Sequence, residues 1–309
     1  MEFSSADSLG SLPADQIARY LDEIGDAARA QALVEASVQG QNFLRPGAPF
    51  SATGAQVGFI APNGTDTVVD VASAAQLVAD TSLIGSQIKI SFDRAFVYEY
   101  PGVGTHSILC EFVGRNQIKD ETEALRMALR FRSADNAGVS TLGIPIFLGL
   151  TVGPNGIAFE GRSINVSSSA DEFLLEALDG EAFKNGLALV NAVQPGLKPF
   201  IALMQGAVKN VVKRTRNTQV HHFNLGLDFS DSATSARLRL GSYVVSQTNR
   251  TDWDWSEFVW DRSSLSLRRR DAGAAAIDFN YMVVGVSPYT PVAASLPAGK
   301  STRAVSRST

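Results

Sequence analysis

Residues Ile144–Val166 read IPIFLGLTVGPNGIAFEGRSINV, and this stretch near the middle of the chain decides the fold prediction. Two runs of strand-forming residues flank Pro154-Asn155-Gly156, and an Asn-Gly pair between apolar runs is the strongest short-range signal for a β-hairpin. The first run is apolar almost throughout, as in a strand covered on both faces, whereas the second alternates apolar residues with Glu160 and Arg162. The stretch therefore predicts a hairpin at the centre of a β-sheet protein.

The same pattern of strand and turn recurs on both sides of this stretch. A second Pro-Asn-Gly corner at 62–64 and a Pro-Gly-Val-Gly turn at 101–104 each join two extended runs into a predicted hairpin. Residues 125–132 alternate apolar side chains with arginine and alanine, a two-residue period that favours a strand. Further strands are predicted at 220–229, 236–247, 257–260, 265–270 and 277–286. The sequence leaves open whether the two Pro-Asn-Gly units are an internal duplication or a coincidence.

Helical patterns occur at the N-terminus and in the centre of the chain. Residues 13–39 carry apolar side chains at three- and four-residue spacing, which predicts a helix that Gly25 kinks or divides; residues 1–11 before it read as loose. Residues 72–80 are a short helix candidate. Three further helical pieces are predicted at 171–178, 181–193 and 196–216.

These elements predict a mainly β (α+β) protein built from antiparallel β-sandwich or jelly-roll-like sheets, with an N-terminal helix and a central helical insertion. The predicted segments are an N-terminal helical arm (1–45), a first sandwich part (46–166), the helical insertion (167–219), a second sandwich part (220–290) and a disordered basic tail (291–309). The sequence leaves open whether they form one domain.

Composition narrows the functional classes. The 309 residues carry a net charge of −4, so they give no strong signal for binding the nucleic-acid backbone. One cysteine excludes an internal disulfide framework and favours a reducing compartment, here the cytoplasm. A Sec-type signal peptide and a run of about 18 apolar residues are both missing, which predicts a soluble protein. No Walker loop, Rossmann glycine pattern, HExxH or CxxC motif is present, and no cofactor is predicted.

Residues Thr251–Asp261, TDWDWSEFVWD, hold all three tryptophans of the chain, interleaved with carboxylates. Tryptophan beside carboxylate is typical of sugar binding, of cation–π capture and of hot spots for protein partners. The candidate binding residues are Asp252, Trp253, Asp254, Trp255 and Trp260. Asp252 and Asp254 also offer hard oxygen ligands for Ca²⁺, although their spacing matches no EF-hand loop. The alternative interpretation is that Trp255 and Trp260 anchor the core while the acids are solvated.

Cys110 and the histidines are the candidates for catalysis. His106 and Cys110 lie four residues apart on one predicted strand, too far apart for a dyad at about 3.3 Å per residue, so His221 or His222 would have to supply the base. His222 and Asp228 share the polar face of the strand 220–229, where they could hold a metal or act as an acid–base pair. The alternatives are an inert core cysteine and a half-exposed strand with its polar side in water.

Two basic groups are candidates for contact with a membrane surface or an acidic partner. The predicted helix 196–216 has an apolar stripe and a cationic C-terminal end, and Arg268-Arg269-Arg270 precede a turn. The alternative for the helix is a stripe packed on a sheet with its charged end in water.

The sequence shows no coherent catalytic set, so the leading hypothesis is a non-catalytic β-sandwich protein that binds a protein partner or assembles with copies of itself. A jelly-roll shell or capsid-type subunit, with the N-terminal helix and the basic tail as arms, is the structural alternative. Two further hypotheses are a membrane-active protein that refolds hairpins into a pore and a hydrolase that uses the Cys110 thiolate.

Overall fold

The computed structural model describes residues 3–38, 48–62, 64–118, 121–167, 187–188, 217–271 and 276–290. The helices are α1 (Ala14–Glu23) and α2 (Ala27–Val38). The strands are, in chain order, β1 (Ala55–Ile60), β2 (Val68–Ser73), β3 (Gln87–Val97), β4 (Thr105–Ile118), β5 (Glu121–Ala134), β6 (Ala137–Thr151), β7 (Ile157–Asn165), β8 (Leu187–Ala188), β9 (Thr218–Asp228), β10 (Ala236–Arg237), β11 (Gly241–Gln247), β12 (Phe258–Asp261), β13 (Ser266–Arg269) and β14 (Tyr281–Pro288).

The strands form two sheets. The larger has nine strands in the order β13-β12-β2-β1-β11-β14-β3-β6-β8, and the smaller has five in the order β10-β9-β7-β4-β5. The pairings are antiparallel except for the short β8 and β10, which run parallel to their neighbours. The sheets nearly close into a barrel-like sandwich, which confirms the predicted mainly β, antiparallel fold. The stretches 46–166 and 220–290 each contribute strands to both sheets.

The central corner turns the chain as predicted but does not form a hairpin. Gly156 has φ +85° and its N–H donates to the Gly153 carbonyl at 3.0 Å, so the turn is present. However, β6 pairs with β3 and β8, whereas β7 pairs with β4 and β9 in the other sheet. The two arms face each other through side chains instead, with the rings of Phe147 and Phe159 at 6.3 Å. Both arms carry apolar residues that have to be buried, and crossing between the sheets places those residues in the core between them.

The same correction applies to the predicted hairpin at 101–104, because β3 lies in the larger sheet and β4 in the smaller. By contrast, the corner at 62–64 does join a hairpin, in which β1 and β2 pair with Phe59 opposite Ala72. Turn sequences therefore located the reversals, but burial decided which strands pair.

Two helix predictions are wrong within the described residues. Residues 72–80 form the end of β2 and a single 3-10 turn at Ala74–Gln76, because β2 continues to Ser73 in its ladder with β1. Leu187 and Ala188, inside a predicted helix, pair with Phe147 and Leu148. The rest of the helical pieces predicted at 171–216 and the tail 291–309 lie outside the described residues.

Residues 3–11 are ordered, which corrects the expectation of a loose segment. Residues Ser5–Asp7 and Leu9–Ser11 form 3-10 turns, and Leu9 is fully buried. The helix predicted at 13–39 is divided at Gly25, whose φ of +85° suits a residue without a Cβ, into α1 and α2. Tyr20 of α1 is tied to the sandwich, because its hydroxyl accepts a hydrogen bond from the Asn165 side chain at 3.0 Å.

Among the described residues, two hydrophobic cores support the sandwich. The larger fills the space between the sheets, where the rings of Phe92 and Phe112 meet at 5.8 Å. The smaller lies on the outer face of the nine-stranded sheet: Val244 belongs to it, whereas its neighbours Tyr243 and Val245 on β11 belong to the larger core. Because successive strand residues point to opposite faces, this sheet is buried on both sides along β11.

Candidate functional site

Residues 3–11, which we call the N-terminal arm, run from the outer face of the five-stranded sheet, where Phe3 lies, to a backbone bridge between Ser8 and Gln219 of β9. Phe159 of β7 points into the core, so Glu160 and Arg162 on either side of Gly161 point outward. The Phe3 ring lies over Arg162, with 4.1 Å between the guanidinium carbon and the ring centroid. The Phe3 backbone N–H donates to the Glu160 carboxylate at 2.9 Å. The arm is therefore attached by a cation–π contact and a charge-assisted hydrogen bond.

Beneath Phe3 lies a cluster of three charged side chains, Glu111, Arg126 and Arg162, which we call the arginine seat. Glu111 is fully buried, and its carboxylate accepts hydrogen bonds from both arginines. The Arg162 Nε–H also donates to it at 2.9 Å. Burial and the neighbouring Arg162 charge lower the pKa of Arg126. One buried carboxylate thus holds two guanidinium groups side by side under the ring of Phe3.

A cleft of about 340 Å³ opens beside the arm, between Phe3–Ser5 and the chain leading into β1, with His222 and Asn224 in its wall. His222 Nε2 is buried without a hydrogen-bond partner in the described part of the chain, and the Glu160 carboxylate lies 3.9 Å away. Burial is the main reason that the pKa of His222 is lowered. The arm is thus bordered by open space on its β9 side.

A second charged cluster attaches helix α2 to the loops at one end of the sandwich. Arg29 forms ion pairs with three carboxylates, Asp26 at 2.7 Å, Glu99 at 2.9 Å and Asp135 at 3.1 Å. His106 Nε2 meets the Asp135 carboxylate at 2.8 Å. Burial raises the pKa of Glu99, against the opposing effect of Arg29. His106 is therefore hydrogen-bonded to Asp135 within this structural cluster rather than paired with Cys110.

The tryptophans of the loop Thr251–Asp261 are largely core residues. Trp255 and Trp260 are 5% and 8% exposed and belong to the smaller core. Trp255 packs directly on the backbone of β1, since a Cβ at Gly58 would lie 2.8 Å from its ring. Trp253 is half-buried and stacks on Phe258 at 5.2 Å. The geometry favours the core interpretation for two tryptophans and leaves Trp253 as the one at the surface.

The carboxylates of this loop hold local turns. Asp254 accepts a hydrogen bond from the Ser256 N–H at 2.8 Å, and Asp252 lies 3.4 Å from Arg250. Hydrogen bonds from Ser263 lower the pKa of Asp261 to about 2. Among the described residues, no three His, Cys, Asp or Glu side chains are grouped so as to hold a metal ion.

The remaining metal and basic candidates are paired with neighbours. Asp228 lies 3.6 Å from Arg237, away from the tryptophan loop. Each arginine of the triplet 268–270 forms an ion pair. Arg268 pairs with Asp261, Arg269 with Glu257 and Asp278, and Arg270 with Asp70. The basic end of the predicted helix 196–216 lies outside the described residues.

Cys110 and His222 do not come together. Cys110 is fully buried in the larger core, and this burial raises the pKa of its thiol. The ladder places Cys110 opposite Ser163, and Ser163 opposite His221, so these three share the inner face. His222, the next residue, points to the outer face with the arm. A thiolate nucleophile needs a base within hydrogen-bond reach, which this arrangement does not provide.

Protonation of His221 is expected to destabilise the protein in mild acid. His221 is buried and its Nε2–H donates to the Gly54 carbonyl at 3.3 Å. Burial lowers its pKa from 6.5 to about 4, so the unfolded chain takes up the proton first. The contribution of neutral His221 to the free energy of unfolding is fully present above about pH 6.5, and the free energy of unfolding falls by about 3 kcal/mol as the pH drops to about 4. Urea unfolding across this range measures the effect.

The control for this prediction is His221→Gln, which removes the titrating group and keeps a side-chain donor. Its stability should fall less steeply between pH 6.5 and 4 than that of the wild type. Equal slopes for the two proteins would contradict the prediction.

Sequence reasoning missed both charged clusters. The arginine seat had a faint signal, because Glu111 is the single acid in the apolar run 108–113 and Arg126 alternates with core residues on β5. The sequence around Phe3 gave no such signal, because a single aromatic residue in a polar segment does not indicate which residues it contacts.

Comparisons with models of known protein families, with curated proteins and with solved structures give no match. Among the helices in the described ranges, none combines the length and the apolar character needed to cross a bilayer.

Proposed function

We propose that this protein is a non-catalytic β-sandwich subunit that acts by assembling with copies of itself. The groups that could react are used structurally: the Cys110 thiol is buried, His106 pairs with Asp135, and His221 binds a backbone carbonyl. This distribution supports a binding or structural role over catalysis.

The observation that carries the proposal is the length of the β4–β5 ribbon. These strands pair from Thr105↔Ala134 to Ile118↔Glu121, whereas the pairing of β4 with β7 ends at Gly114↔Phe159. Four residue pairs, from Arg115↔Ala124 to Ile118↔Glu121, therefore continue with no third strand among those the structure describes. A two-stranded ribbon is marginally stable in water and offers unpaired N–H and C=O groups at its edges.

A second copy of the chain is a suitable partner for this ribbon. Two identical ribbons related by a two-fold axis present the same edge to each other, so each supplies the strand that the other lacks. The backbone hydrogen bonds of such a contact require no particular side chain. The proposal covers both a simple dimer and a larger shell, which electron microscopy distinguishes.

Light scattering coupled to size-exclusion chromatography, from low to high micromolar concentration, tests the proposal. The wild type should be oligomeric, and a variant in which residues 116–123 are replaced by an Asn-Gly turn should be monomeric with an unchanged circular dichroism spectrum. The matched control shortens the exposed loop at 231–234 and should assemble normally. A wild type that stays monomeric at every concentration, or a ribbon variant that assembles like the wild type, would overturn the proposal.

A further inference from the structure

We infer that two copies of this protein pair along β5, antiparallel to each other across a two-fold axis, so that their five-stranded sheets join into one continuous sheet. This inference rests on the proposed self-assembly and names which edge of the β4–β5 ribbon meets the second copy. It is argued from the lengths of the edge strands, from the backbone groups that each edge presents and from the charges along β5.

Among the described residues, β5 is the one long strand at the edge of a sheet. The nine-stranded sheet ends in β13 and β8, of four and two residues, and the five-stranded sheet ends in β10, of two residues, and in β5, of fourteen. Proteins usually protect a sheet edge by keeping its strand short or by placing proline or a bulge in it. Residues 121–134 contain no proline, and their register with β4 continues from end to end without a shift. The edge of β5 therefore lacks these protections and is suited to pairing with another strand.

The register with β4 determines which backbone groups of β5 face this edge. Two residues separate the pair Ile118↔Glu121, and a two-residue connection closes a β-turn in which the flanking residues bond to each other. Hydrogen-bonded and non-hydrogen-bonded pairs alternate along an antiparallel ladder, so the next pair, Gln117↔Thr122, is not hydrogen-bonded. The backbone groups of Thr122 and, two residues on, of Ala124 therefore point away from β4. Those of Gln117 point away from β5.

The arginines of β5 limit where the two-fold axis lies. Arg126, Arg130 and Arg132 share one face of the strand, because they are an even number of residues apart. In an antiparallel pair of identical strands, an axis at Arg126, or at any residue from Ala128 to Arg132, places one arginine directly opposite another. Like charges in that position are unfavourable. An axis closer to Glu123 avoids every such contact.

The charges at the start of β5 favour a second copy as the partner. Glu121 and Glu123 begin the strand, and the arginines follow. With the axis between Glu123 and Leu125, Arg126 of each copy lies opposite or beside Thr122 of the other, next to its glutamates. Arg126 stays bonded to Glu111 of its own chain, and the glutamates of the second copy add further negative charge near it. The two strands are therefore complementary in charge when they run antiparallel.

Two proline variants test which edge is used. Ala124→Pro removes an N–H that faces the free edge of β5, whereas Gln117→Pro removes one that faces the free edge of β4. Neither change removes a bond between β4 and β5, and the pairing of β4 with β7 ends before both positions, so both variants should keep the wild-type circular dichroism spectrum. Light scattering should show an increase on the order of a hundredfold in the dissociation constant of Ala124→Pro, because the symmetric contact loses the bond twice. Gln117→Pro should associate like the wild type.

Ala128→Pro replaces Ala124→Pro if that variant does not fold, because the alternation gives both residues the same orientation toward the free edge. Association of the β5 variant like the wild type, or an equal loss in the β4 and β5 variants, would overturn the assignment to β5.

The two proposals fail in different ways. A wild type that is monomeric at every concentration overturns self-assembly and the choice of edge with it. A wild type that assembles, with Gln117→Pro as the weaker variant, overturns the choice of edge alone and places the contact on β4.

Discussion

Replacing Glu111 by alanine is expected to lower the free energy of unfolding by about 3–5 kcal/mol. Glu111 is fully buried and accepts hydrogen bonds from Arg126 and Arg162, whose side chains are only 19% and 13% exposed. Without the carboxylate, two guanidinium groups remain side by side in a poorly hydrated site and repel each other. Removing one member of a buried charged group is costly because the remaining charges lose their compensation. Urea unfolding followed by circular dichroism measures the loss.

Glu257→Ala is the matched control for this prediction. Glu257 also accepts a hydrogen bond from an arginine, Arg269 at 3.1 Å, but its side chain is 46% exposed. Water solvates the Glu257 carboxylate, and Arg269 keeps its second partner Asp278 when Glu257 is removed, so the expected loss is about 0–1 kcal/mol. If the free energy of unfolding falls by a similar amount in both variants, the prediction that the buried Glu111 carboxylate stabilises the two arginines is wrong.

The sequence predicted the strands well because the two-residue period reports burial directly. Residues 125–132, good helix formers one by one, form β5 because their alternation places Leu125, Met127 and Leu129 in the core. Pairing could not be predicted in the same way. The Asn-Gly corner at 155–156 specifies a reversal, but whether the next strand pairs beside the first or faces it across the core depends on strands far away in the sequence.

The candidate site was predictable only in part, for a related reason. The tryptophan loop was identified by its composition. Its residue types fit a ligand site, and they fit equally well a loop whose carboxylates stabilise turns and whose tryptophans lie in the core. The arm and its seat join Phe3 to residues more than a hundred positions away on β4, β5 and β7. A contact between residues so far apart produces no periodic pattern in the local sequence, and nothing else in a single sequence indicates that these residues meet.

Replacing Trp255 by alanine is expected to lower the free energy of unfolding by about 3–5 kcal/mol, the usual cost of removing a large buried aromatic side chain. Trp255 packs on Gly58 of β1, in the same core cluster as Val71, and lies edge-on to Trp253 and Phe258. Its removal leaves a cavity on the outer face of the nine-stranded sheet. The unfolding midpoint in urea measures the change.

A comparison with Asp252→Ala and Trp253→Ala separates the two interpretations of the tryptophan loop. Asp252 has a side chain that is 79% exposed, so its replacement should leave the unfolding midpoint unchanged. Trp253→Ala should cost less than Trp255→Ala, because Trp253 is half-buried. If Trp255→Ala instead unfolds like the wild type while self-association is lost, the loop is a binding surface and its rings are not core anchors. A large loss of stability for Trp255→Ala alone supports the core role, and any binding role then falls to Trp253 and its flanking carboxylates.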